Sequence, residues 1–302
     1  MRKNDIKGII ILFLTAIIWG SSFVAQSVGM ERVQAFTFNG IRTLMGALFL
    51  LVFLIIRKAV KKEGPLFTPP VIKKSLILGL VFVFASNLQQ YAFYYSTAGK
   101  IAFITALYMF FVPVIGLFIR RKSTLITWIC VFCAIFGLYL LSVNGNDFRS
   151  INKGDLFALG CAFFYAIHIL LVDRFVQEED GIKMSCFQFI IAGSITIILM
   201  FIFEEPVPSD IMLAAKPLLY SGIMSCGVAY TFQILGQKYT SPVIASIIMS
   251  MESVFAVLCA ALFLKEGMTV RESVGCLIMF GSIIISQLAE MKSKGATDNG
   301  SV

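Results

Sequence analysis

Histidine is almost absent from this chain. His168 is the only one in 302 residues, so no histidine-based metal cage can form. Charge is scarce as well: 14% of residues are Asp, Glu, Lys or Arg, where a soluble domain carries about 25%. That leaves too little polar surface to coat a domain in water. The phosphate-binding pattern Gly-x4-Gly-Lys-Ser/Thr does not occur, which excludes ATP binding by that device. Within the apolar runs there is neither the clustered aspartate of a magnesium-pyrophosphate enzyme nor a His/Asp/Ser grouping for nucleophilic attack. Acidic residues gather only at Glu178-Glu179-Asp180 and Glu204-Glu205, which read as solvated loop charge. The seven cysteines (130, 133, 161, 186, 226, 259 and 276) sit in or beside apolar runs and read as small packing residues. Cys130 and Cys133 have no second pair at metal spacing, so neither metal nor cofactor is expected.

What is abundant is apolar length. Residues of apolar type make up 58% of the chain, and a helix crossing a bilayer needs about 20 of them in succession. Nearly uncharged runs fall at about 6–28, 35–56, 75–97, 99–119, 124–143, 154–173, 184–203, 214–237, 243–264 and 270–289. The expected fold is an all-α integral membrane protein of ten transmembrane helices, with no room for a separate soluble domain. The run from Ile6 is too long for a signal-peptide core, and no small-residue cleavage site marks it for removal. The net charge of +8 reads as loop charge beside anionic lipid rather than a nucleic-acid footprint.

The charges also orient the chain. Connections on the side of both termini carry seventeen Lys and Arg against seven on the other, led by 57–62 and Arg120 to Lys122. This bias puts both termini in the cytoplasm, and the expected location is a bacterial inner membrane. The longest connections hold Pro65, Pro69 and Pro70, and Pro206 and Pro208, and are expected as turns. The polar stretch 292–302 is expected to be a disordered tail.

Comparing halves suggests duplication. Thr97, Ile101, Ala102 and Ile104 match Thr240, Ile244, Ala245 and Ile247 at an offset of 143. Gly8 to Phe23 lies over Gly154 to Ile169 at an offset of 146, pairing Ala16 with Ala162 and Trp19 with Tyr165. The repeats are 6–143 and 154–289, five spans each. An odd number of spans per repeat inverts the second copy relative to the first, which is the geometry of alternating-access transporters.

Ionisable groups inside a span cost about 2.5–3.5 kcal/mol on insertion scales, and three are present: Arg42, His168 and Glu252. Glu252, near the middle of the ninth span, is read as a cavity and coupling residue or as a neutral carboxyl bonded between helices. Arg42 could hold a substrate carboxylate through its planar fork, or snorkel and tie helices together. His168 is a packing residue or a proton relay, and Lys100 stands at the outer mouth of the fourth span. Of the polar residues Gln26, Asn39, Asn87, Gln89, Gln90, Gln188 and Gln233, the pair Asn87 and Gln90 shares a helix face with Tyr91 and Tyr94, which reads either as a cavity wall or as interhelical hydrogen bonding alone. Gln233 completes this set, and Trp19 and Tyr108 could stack on a ligand. Pro113 is expected to kink the fourth span and Pro242 to open the ninth.

The stretches Ala16 to Phe23 (AIIWGSSF), Phe38 to Met45 (FNGIRTLM), Ala102 to Tyr108 with Val112-Pro113, and Met251 to Ala256 followed by Leu264-Lys-Glu266 resemble the drug/metabolite transporter superfamily, in its EamA-type ten-span family. The resemblance runs from about residue 6 to 290. It implies two inverted EamA repeats around a central cavity and secondary active transport of small metabolites, commonly export of amino acids or related compounds. The partners it implies are a small-molecule substrate and membrane lipid. Ser253 stands where many relatives carry proline, and Arg120-Arg121-Lys122 replaces the acidic residue common after the fourth span. Those departures leave substrate and coupling open. An intramembrane enzyme acting on lipid or isoprenoid, or a sensor or scaffold lacking a polar cavity, are the alternative classes.

Overall fold

The computed structural model describes residues 3–62, 64–119, 124–142, 152–264 and 269–299, and all regular structure among the described residues is helical. The first half comprises α1 (Lys3–Met30), α2 (Ala35–Lys61), α3 (Pro69–Ala92), α4 (Ala98–Ala106), α5 (Tyr108–Phe118) and α6 (Leu125–Ser142). The second comprises α7 (Lys153–Phe175), α8 (Gly181–Phe203), α9 (Pro208–Leu213), α10 (Ala215–Tyr220), a π-helix (Ser221–Ala229), α11 (Tyr230–Gln237), α12 (Pro242–Met249), α13 (Glu252–Leu264) and α14 (Val270–Asn299). Eight helices are long and apolar enough to cross a membrane, and two apolar helices, Leu125–Leu140 and Ser273–Ser286, are shorter. Large apolar side chains such as Leu48, Ile56, Phe201 and Leu277 face outward on these helices. Such a surface is stable only against lipid.

Local chemistry accounts for where helices start and stop. Pro70 and Pro208 sit in the first turns of α3 and α9, where a missing N–H leaves no hydrogen bond unmade. The connection expected around Pro206 and Pro208 as a turn therefore contains a short helix. Asn152 and Asp155 form a reciprocal capping box at the start of α7. The polar stretch from residue 292, expected to be disordered, continues α14 helically to Asn299, with no proline to interrupt it. Residues 300–302 lie outside the described residues, as do Arg120, Arg121, Lys122, Lys265 and Glu266.

Both expected interruptions are present, though one is displaced. Pro242 opens α12. The break between α4 and α5 falls at Leu107, six positions before Pro113, where Leu107 N donates to Ile104 O at 3.1 Å and Phe110 N to Leu107 O at 2.9 Å. A second break separates α12 from α13 at Ser250 and Met251, with Met251 N donating to Ile248 O (3.2 Å) and Ser253 N to Ser250 O (3.2 Å). Here the ladder tightens from i−4 to i−3. Ser246 and Ser250 hydroxyls donate back to carbonyls three residues earlier and compete with that ladder. Ser253 Oγ reaches across to Ala102 O at 3.0 Å, tying the two broken helices together.

The packing order is regular. With the six-residue α9 set aside, α4–α5 taken as one element, α10–π–α11 as another and α12–α13 as a third, the described residues of the first and second halves form five elements each. The second pairs with the seventh, the fifth with the tenth, the third with the sixth, and the first with the eighth and ninth. Exchanging every element with the one five places on returns these pairings to contacts that are also present: third–seventh becomes second–eighth, and first–ninth becomes fourth–sixth.

Ionic contacts fasten both ends of the bundle. At one end Arg57 Nη2 donates to Asp180 Oδ2 at 2.7 Å, and Lys74 Nζ reaches Glu178 and Glu179. Partial burial pushes the Asp180 carboxyl up, but the Arg57 hydrogen bond and charge, with the N–H groups of Lys183 and Ile182, outweigh it and hold the group below the ordinary aspartate range. At the other end Glu204 accepts from Phe36 N and Thr37 N, both 2.7 Å, capping α2 across the α2–α8 interface.

Candidate functional site

Arg42 reaches the interior because two helices approach closely. A Cβ added to Gly46 of α2 would lie 2.5 Å from Cys226 Cβ and 2.9 Å from Gly222 O, and one added to Gly222 would meet Met45 and Arg42 backbone. Small residues on both sides thus let α2 lie against the π-helix. Where the π-helix ends, Tyr230 N donates to Ser225 O, an i−5 bond that widens the turn and rotates α11 about its axis.

These elements enclose a cavity lined by Trp19, Phe23 and Gln26 from α1, Arg42 from α2, Gln89 from α3 and Thr105 from α4. The remaining lining comes from Tyr108, Tyr165, Ile169, Ser225, Tyr230, Gln233 and Glu252. It is narrow, with about 20 Å³ open to the centre of a water molecule, which is room for about one water. Its wall is unusually rich in buried polar atoms that make no hydrogen bond, Trp19 Nε1, Gln26 Oε1, Arg42 Nη2 and Gln233 Oε1 among them, while the Tyr108 hydroxyl and the Glu252 carboxyl face each other. Unmet buried donors and acceptors each cost about 1–3 kcal/mol unless a ligand or water meets them. Arg42 is 1% exposed and Glu252 3%. They share this cavity, yet no ion pair joins them.

The cationic and anionic groups enter from helices of different kinds. Glu252 is the first residue of α13, at the break in the ninth element, where the positive end of the helix dipole favours a carboxylate. Arg42 lies mid-helix in α2, its Nε donating to Asn39 Oδ1 at 3.0 Å and its guanidinium 5.9 Å from the Phe38 ring. Aromatic rings complete the wall: Trp19 stands 4.6 Å from Tyr230, and Tyr165 Oη 2.6 Å from Tyr230 Oη.

Of the residues singled out in the sequence, the structure brings Trp19, Arg42, Tyr108, Gln233 and Glu252 into one cavity. Asn87 lies outside the lining and bonds Asn39, Thr196 and Val83. Gln90 is buried without a partner for either amide atom, and it is Gln89 that lines the cavity. Tyr91 packs among Phe36, Tyr94 and Phe157 instead. His168 is fully buried, with Nε2 3.0 Å from Gln188 Oε1 and its ring 6.0 Å from Phe82. Lys100 is paired with Asp155 at 2.9 Å. Sequence reasoning did not single out Phe23, Thr105, Tyr165, Ile169, Ser225 or Tyr230 for the site. Tyr165 carried a signal as the repeat mate of Trp19; Tyr230, placed by the π-helix, carried none. Among the described residues no three His, Cys, Asp or Glu side chains gather as metal ligands.

Comparison with known proteins gives this geometry a context. The model of the EamA-like transporter family matches residues 6–143 and 152–287. An uncharacterized transporter of Archaeoglobus fulgidus is 26% identical over 287 residues, covering 92% of this chain and 84% of its own. The uncharacterized transporter YoaV of Bacillus subtilis is 26% identical over 301 residues, covering 96% and 99%. A solved crystal structure aligns with a TM-score of 0.75 at 16% identity, covering 94% of this chain and 98% of its own, a likeness of fold.

Proposed function

The chain belongs to the EamA-like transporter family, a family of membrane transporters, and on that footing we propose that it is a secondary active exporter of small zwitterionic metabolites, amino acids foremost. The observation that carries this reading is the pair Arg42 and Glu252, buried in one cavity and unpaired with each other. A substrate carboxylate matches the Arg42 fork, and a substrate ammonium matches Glu252 Oε1 together with the unmet acceptors of Gln26 and Gln233. Trp19, Tyr165 and Tyr230 supply faces for the cationic end or for an aromatic side chain.

Movement is explained by ten spans in two inverted five-helix repeats, 6–143 and 154–289, with both termini in the cytoplasm of a bacterial cell. The exchange symmetry of the helix pairings supports this arrangement, as does a family model that fits the chain twice. The α6 helix, at 18 residues, spans about 27 Å at the α-helical rise of 1.5 Å per residue, close to a hydrocarbon core of about 30 Å. The two broken elements cross where Glu252 lies, and helix breaks near the midplane are where such repeats hold substrate and coupling ion. Glu252 takes up a proton when the cavity changes sides.

The test is uptake by proteoliposomes containing the purified chain, offered labelled amino acids singly with and without a proton gradient. Saturable uptake that responds to the gradient and is lost in Arg42→Gln is expected. Uptake of no amino acid, or uptake indifferent to both Arg42 and Glu252, would overturn the substrate reading.

A further inference from the structure

A guanidinium buried to 1% exposure normally faces a carboxylate, because an uncompensated charge in a low-dielectric interior is costly. Arg42 has no ion-pair partner among the described residues; its side chain is held by an amide. Nε is a donor only, so Asn39 must turn Oδ1 toward it. The orientation is then locked from behind: Asn39 Nδ2 donates to Ser86 Oγ at 3.0 Å and to Asn87 Oδ1 at 2.8 Å. Asn87 Nδ2 in turn donates to Val83 O at 2.9 Å and to Thr196 Oγ1 at 3.0 Å. The relay spans α2, α3 and α8 and contains only neutral groups, while Arg42 Nη2 is left unmet at the cavity wall.

We propose that Asn39 is a positioning residue that aims the Arg42 fork into the cavity while withholding a counter-charge, so that an incoming carboxylate becomes the counter-ion. The proposal rests on the reading of Arg42 as the carboxylate site. It explains why the helix carries Asn rather than Asp three positions before the arginine: an aspartate there would orient the same fork but neutralise it, and the site would lose its preference for an anion. Ser86, Asn87 and Thr196 act through Asn39, and none of the three lines the cavity.

The test uses the full-length chain, labelled with nitrogen-15 and purified in detergent, with the Arg42 Nε–H signal assigned by its absence in Arg42→Lys. Acetate is the probe and acetamide its uncharged isostere, titrated at constant ionic strength. Acetate is expected to shift the signal saturably and acetamide to leave it in place; in Asn39→Asp, the acetate affinity is expected to fall by about tenfold or more. Where Asn39→Asp does not fold, Asn39→Ser serves instead. It keeps the relay neutral but removes the Nε acceptor, so faster exchange of the Nε–H and weaker acetate binding are expected. No acetate response in the wild type, an undiminished response in Asn39→Asp, or unchanged exchange and affinity in Asn39→Ser would each overturn the proposal. Acetate binding without carriage of any amino acid would leave this inference standing and overturn the transport substrate alone.

Discussion

Trp19 and Tyr165, 146 residues apart in the chain, close on the same ring: Trp19 lies 4.6 Å from Tyr230 by ring centroids, and Tyr165 Oη meets Tyr230 Oη at 2.6 Å. Three aromatic residues from α1, α7 and α11 thereby form one wall of the cavity. Phe82 supports it from behind, 5.0 Å from Tyr230 and edge-on.

Removing only the hydroxyl of that contact separates stability from transport. Tyr165→Phe keeps the ring and breaks one buried hydrogen bond, so a loss of about 1 kcal/mol in stability is expected, with substrate uptake retained. Denaturant or thermal unfolding in detergent, read beside proteoliposome uptake, checks both halves of the statement.

Glu252→Gln keeps the shape of the side chain and removes its charge. A hydrogen bond to a charged group contributes about 1.5–3 kcal/mol, so uptake of an ammonium-bearing substrate is expected to fall roughly ten- to a hundredfold, and its dependence on the proton gradient to vanish. Initial rates with and without an imposed gradient measure this.

Gly46→Ala places a methyl group against Cys226 Cβ and the Gly222 carbonyl, at 2.5 and 2.9 Å before relaxation. Both neighbours belong to a packed helix, so strain of about 1–3 kcal/mol is expected. Arg42, one turn away, should move with the displaced helix. A lower thermal midpoint accompanied by weaker substrate binding is the expected pair of results.

Asp180 makes stability depend on acid. Its folded-state carboxyl titrates below the ordinary aspartate value, chiefly through Arg57 and two backbone N–H groups acting against partial burial. The stabilisation is therefore complete above the unfolded-state value of about 4 and is lost as pH falls through the lower folded-state value. In Asp180→Asn the thermal midpoint should be lower at neutral pH and should decline less than that of the wild type on acidification below about pH 4. A midpoint unchanged at neutral pH would contradict the contribution assigned to the Arg57–Asp180 contact.

Part of the cavity lining could be read before the fold was known. Arg42 and Glu252 stand out in any apolar run because each costs energy that lipid cannot return, and both line the cavity. At closer range periodicity left two readings open. Asn87, Gln90 and Tyr91 share a face of α3, but the residue turned to the cavity is Gln89, because the roll of a helix is set by what packs on each side. Asn87 is turned to Asn39 and Thr196 instead. Lys100, read as a cation at a mouth, is taken up by Asp155, a partner 55 residues away. Pro113 marked the right helix but not the place of its break, which the i−3 bonding at Leu107 decides.

Composition and hydropathy by themselves determined that this chain lives in lipid, where its helices lie, and which charges had to be hidden, since the transfer cost of each group depends on its own chemistry. Only the tertiary structure decided which of those groups meet. The close crossing at Gly46 and Gly222, the widened turn of the π-helix and the break before Glu252 bring residues from distant helices to one small space. Such convergence depends on packing between segments far apart in the chain, which no local pattern of residues encodes.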